Sequence, residues 1–174
     1  NNAWTQEPFA AYHRYGLDYR RIVNAGVDTI IMETVGAGNE VGAEGVPRDL
    51  RANLNMKALF TKACLPDTTL LCLNATGDTT ENWDVLNHAP PVCEREHYTL
   101  GSMFVRTAEG FRRASAGPLV CLADGINGPQ WRWMDRNWQV AYGPAPTRVL
   151  GATIVWSEAA RAAEFDDYVA HRTI

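Results

Sequence analysis

Two carboxylates, Glu33 and Asp124, each close an apolar run that reads as a β-strand, Thr29-Ile30-Ile31-Met32 before the first and Leu119-Val120-Cys121-Leu122 before the second. If separate strands bring them to one pocket, an apolar wall can keep one carboxyl protonated while the other stays ionised. That pairing is what glycosidic bond cleavage requires, so Glu33 and Asp124 are the candidate catalytic residues. A carboxyl separation of about 5–5.5 Å would suit a covalent, retaining mechanism, and about 6.5–9.5 Å would leave room for an inverting water. The plainer role for either residue is to cap a helix or pair with an arginine.

Asn74 and Asp78 stand near the end of a further apolar run, Thr69 to Asp78, where they are suited to hydrogen-bond hydroxyl groups; Gly77 marks a turn that either side chain could instead stabilise. Glu158 follows Trp156 and Ser157 at the end of a fourth run, Val149 to Glu158, and also reads as the first acidic residue of a helix. The chain holds six tryptophans. Trp83, Trp131 and Trp156 fall where loops leave the runs, and an indole face packs well against the C–H surface of a sugar. Asn74, Asp78, Trp83, Trp131, Trp156 and Glu158 are therefore the candidate substrate-binding residues. His88 and His97 flank Pro90-Pro91, read as a turn, where they could touch substrate, although a solvated loop histidine is the commoner case. No GxSxG elbow or HExxH motif occurs, and the four cysteines show no zinc-ligand spacing, so no metal or other cofactor is expected.

Something must position these residues. The apolar runs Val27–Val35, Thr69–Asp78, Pro118–Gly125 and Val149–Glu158 predict four strands, and LLCL within the second has the continuous apolar character of a buried parallel strand. Helical spacing separates them. Tyr12 to Val23 leads to Gly26, Pro47 opens a helix that runs to Cys64, and Leu100, Met103, Phe104, Ala108 and Phe111 form an i, i+3, i+4 stripe. Trp131, Met134, Trp138 and Ala141 share one side of another helix, and a last helix spans about Glu158 to His171. Short connections enter the first three strands, whereas Gly36–Gly45, Ala75–Glu96 and Ile126–Gln130 leave them as longer, chemically rich loops. The loops that follow the strands form the working face of a parallel α/β protein.

The expected fold class is α/β, with four consecutive parallel βα units forming either half of a (βα)8 barrel or a small parallel-sheet domain. Residues 1–174 read as a single domain, and the first residue, Asn1, suggests a processed chain, a piece, or half of a larger barrel. The order of elements, the acidic strand ends and the Trp156-Ser157 terminus resemble the C-terminal half of a glycoside-hydrolase-type (βα)8 barrel. The resemblance implies glycosidase activity on a carbohydrate substrate, with catalytic roles at Glu33 and Asp124. The Asn-Glu acid/base dipeptide of many such barrels occurs here only as Asn39-Glu40, within a glycine-rich loop.

Two other readings stand beside it. One is a non-catalytic carbohydrate-binding or assembly module, and the other is a phosphate- or nucleotide-binding domain built on Gly36, Gly38 and Gly42. A net charge of −4 without basic runs argues against nucleic acid as a partner, and no apolar run is long enough for a membrane span. A second half-barrel or a second copy of the chain is the expected protein partner. The compartment is left open.

Overall fold

Three of the four apolar runs lie side by side as parallel strands. The computed structural model describes residues 18–32, 58–78, 83–88, 90–153, 155 and 157–171. Strand β1 (Thr29–Met32) pairs with β2 (Thr69–Asp78) from Thr29↔Thr69 to Met32↔Cys72. On its other edge β2 pairs in parallel with a strand at Gly117–Ala123, from Leu71↔Gly117 to Gly77↔Ala123. A two-residue strand β3 (Trp83–Asp84) runs antiparallel to the end of β2. Because Gly77 meets Ala123 on one side and Asp84 on the other, β3 occupies the same edge of β2 as β1 does.

Helix α1 (Tyr19–Asn24) leads into β1, with Asp18 as its N-cap accepting from the Arg21 amide at 3.1 Å. Helical residues 58–64, here α2, lead into β2. After β3 come α3 (Val85–His88) and α4 (Pro90–Gly101). A separate hairpin, β4 (Phe104–Thr107) and β5 (Gly110–Arg113), precedes the Gly117–Ala123 strand, β6. Then follow α5 (Gly128–Ala141) and α6 (Glu158–His171).

Alternation along the strands explains the core. Ile30, Met32, Leu70 and Cys72 point to one face, where they are buried against α2, Leu100 of α4 and Met103. Tyr19 and Val23 of α1 reach the same cluster. A second cluster joins α3, α4 and α5 through Val85, Leu86, Cys93 and Met134. The opposite face carries Ile31, which is 37% exposed, and the half-buried Leu71, Leu73 and Leu119.

Several expectations are corrected. The fourth run does not form a strand at any of its described residues, and Gly151 at φ 140° interrupts it with a backbone that other residues rarely adopt. Four consecutive βα units are thus not what the described residues form; a parallel three-stranded sheet is. The stripe from Leu100 to Phe111 is not one helix, because α4 ends at Gly101 and the chain turns at 108–109 into a hairpin with Gly110 at φ 129°. Nor is 75–96 a loop: β2 runs to Asp78, and β3, α3 and half of α4 occupy most of the remainder. The Pro90-Pro91 pair opens α4 rather than making a turn, since proline suits the first helical positions, where amides have no intrahelical acceptor.

One residue organises the far end of the fold. Arg113 of β5 donates to the carbonyls of Gly101 and Ala141, the last residues of α4 and α5, and to that of Gly143 at 2.7 Å. Its guanidinium also sits 5.0 Å from the Phe104 ring centroid and 5.8 Å from that of Tyr142. The carbonyls that a helix leaves unbonded at its C-terminus are here satisfied by a cation, which the helix dipole also favours.

Candidate functional site

The carboxyl ends of β2 and β6 meet in register. Gly77 pairs with Ala123, so Asp78 and Asp124 leave neighbouring strands side by side, where strand spacing is about 4.8 Å. Asp78 is itself paired with Trp83 of β3, which brings a tryptophan backbone to the same corner. Asp124 is exposed and opens the turn into α5, with Gly125 at φ 74° reversing the chain.

The turn ends in a reciprocal cap. Asn127 Oδ1 accepts from the Gln130 amide at 2.9 Å, and Gln130 Oε1 accepts from the Asn127 amide at 3.0 Å. Gln130 Nε2 then donates to Asn87 Oδ1 of α3 at 2.8 Å. Trp131, in the first turn of α5, is 40% exposed. Asp78, Trp83, Asp124 and Trp131 thus lie on the connections that follow β2 and β6, as expected of a working face in a parallel sheet. Glu33 and Trp156 lie outside the described residues, as do Gly36, Gly38 and Gly42.

Asn74 is placed elsewhere. Its side chain is on the helix-covered face and fully buried, with Oδ1 2.8 Å from Nε2 of His97 in α4. His97 is not a solvated loop residue but a fully buried one, with the Trp133 and Trp138 rings at centroid distances of 6.2 and 5.4 Å. Burial pushes its pKa down to about 4, so the ring is neutral near pH 7. An amide oxygen only accepts, so Nε2 carries the proton and Nδ1 is the bare nitrogen.

Cys93, one helical turn before His97, brings its Sγ to 3.5 Å from the same Nε2 and 4.0 Å from Asn74 Oδ1. A Cys–His–Asn set invites a nucleophile reading, and the geometry argues against it. Thiol and amide converge on one ring nitrogen, so the imidazole cannot take a proton from the first while being oriented through its other nitrogen by the second. Burial also pushes the Cys93 thiol up to about 12, with neighbouring Glu96 adding to the effect. The cluster is a buried polar core beneath the sheet. The sequence signal for it was the Cys93–His97 spacing of four behind a proline-opened helix, which puts both residues on one helical face.

Glu158 begins α6 and forms ion pairs with Arg20 of α1 and, at 3.0 Å, with Arg161. It lies where α1 and the end of α2 lead into the strands, since Cys64 senses the charges of Arg20, Arg161 and Glu158 together. Among the described residues no group of three His, Cys, Asp or Glu side chains is arranged to hold a metal ion, and no helix is long and apolar enough to cross a membrane.

No protein-family model, no curated protein and no solved structure matches the chain.

Proposed function

We propose that this chain belongs to a carbohydrate-active α/β domain that cleaves glycosidic bonds with carboxylates at the carboxyl ends of parallel strands. The observation that carries the reading is the Gly77–Ala123 pairing, which sends Asp78 and Asp124 out of adjacent strands at one level. In this reading Asp124 and Glu33 share the acid/base or nucleophile work, and Asp78 holds a sugar hydroxyl.

A barrel-type arrangement gains support from two features. The parallel strands neighbour one another in chain order, and α1, α2 and α4 all contribute to the cluster on a single face of the sheet. In a barrel the second face turns inward, which fits the apolar character of Ile31, Leu71, Leu73 and Leu119. Further parallel βα units, from a second half-barrel or a second copy, would complete it.

The test is hydrolysis of a panel of aryl glycosides and polysaccharides by the wild type, Glu33→Gln and Asp124→Asn. Turnover should fall by roughly a thousandfold or more in each variant, with binding retained. Undiminished turnover in both would refute the assignment. The exposed Trp131 favours a second reading, a carbohydrate-binding module without turnover. In that case the wild type binds oligosaccharides without cleaving any, and Trp131→Ala weakens binding.

A further inference from the structure

We infer that Gln130 is a positioning residue for the carboxyl-end site, fastening the loop that carries Asp124 to the corner that carries Asp78 and Trp83; the inference rests on the glycosidase reading of that site. A capping box is satisfied by either Glu or Gln at the third helical position, because only the side-chain oxygen is used. Here that oxygen accepts from the Asn127 amide, and the NH2 group remains to donate to Asn87, 43 residues away.

Asn87 is in α3, which begins directly after β3, and β3 is held to the end of β2 by the Asp78–Trp83 pair. Asn127 stands three residues after Asp124. One amide therefore spans the connections that leave β2 and β6. The contact is exposed, so its weight in overall stability is small, while its effect on the spacing of the two loops is direct. Misplacing a reacting group by about 1 Å can cost a hundredfold in rate.

Substitutions can break the bridge and spare the cap. Asn87→Asp keeps an acceptor for the Gln130 NH2, and Gln130→Glu keeps the cap while Asn87 turns its amide to donate. Combined, they set two carboxylates face to face and abolish the bridge. The single variants should keep wild-type kcat within about twofold, and the double variant should lose roughly ten- to a hundredfold with KM little changed. Backbone amide resonances of Asp124 and Trp83 should move in the double variant alone. A folded double variant with native kcat, or with both resonances unmoved, overturns the inference. A wild type that hydrolyses no glycoside removes the proposed activity instead. The amide resonances then judge the bridge: movement confined to the double variant sustains it, and no movement refutes it.

Discussion

Nε2 of His97 and Oδ1 of Asn74 meet at 2.8 Å in the interior, joining the middle of β2 to the middle of α4 with both side chains fully buried. A strand and a helix packed only through apolar contacts can slide by a residue. A buried donor–acceptor pair penalises the slip, because each partner left alone loses its bond without regaining water. Asn74→Leu should therefore cost about 2–3 kcal/mol, mostly by stranding the imidazole N–H, as urea unfolding at pH 7 would show.

The same imidazole makes stability depend on acid. Its pKa is about 4 in the folded chain, against an ordinary value of 6.5, so the unfolded chain binds the extra proton first as pH falls. The contribution is fully present above about pH 6.5 and is lost as pH drops toward 4, on the order of 3 kcal/mol across that window. His97→Phe should flatten this part of the stability curve, measured as urea midpoints between pH 7.5 and pH 4.5. An unchanged slope would mean that another group is responsible.

Arg113 supplies donors to the ends of two helices, so Arg113→Ala should lower stability by about 3 kcal/mol in thermal or urea unfolding. Arg113→Lys should recover less than half of the loss, since a point-like ammonium cannot span carbonyls that a planar fork reaches together.

Two glycines should respond differently to Ala. A Cβ at Gly101 would lie 2.3 Å from the Ala141 carbonyl oxygen, forcing the ends of α4 and α5 apart. A Cβ at Gly26 would meet nothing within 4 Å, leaving only the strain of its φ of 103°. Gly101→Ala should thus cost at least 2 kcal/mol by a rough estimate, and Gly26→Ala about 1 kcal/mol, compared by melting temperature.

Thiol reactivity should rank Cys64, Cys72 and Cys93. Cys72 and Cys93 are fully buried, with pKa values pushed up to about 12, whereas Cys64 is only partly covered, and the rise that burial causes in its pKa is partly offset by Arg20 and Arg161. A short iodoacetamide pulse followed by peptide mass analysis should find Cys64 modified well before the other two. Equal labelling would mean the core opens readily.

The sequence patterns most legible here were those that burial enforces. A parallel strand that helices cover on at least one face is rich in apolar residues, so 69–78 and 118–125 located β2 and β6 closely, and 27–35 contains β1. The run at 149–158 has the same composition, yet composition does not supply a hydrogen-bonding neighbour, and Gly151 marks the break. Leu100 to Phe111 misled because a helix end followed by a hairpin can imitate a 3.6-residue period over a dozen positions. Gly101, packed tightly on α5, and Gly110, in the turn, were the signals available. At the candidate site, Asp124 was readable from its place after an apolar run. The Gln130–Asn87 bridge was not, because no local pattern tells a side chain which distant partner it will reach.

The hairpin of β4 and β5 is thereby more than an insertion between a helix and a strand. Arg113, its final residue, holds the ends of α4 and α5 together, while the exposed turn at 108–109 is a place where the chain can be lengthened. Excising the whole hairpin would instead unlatch both helices at once.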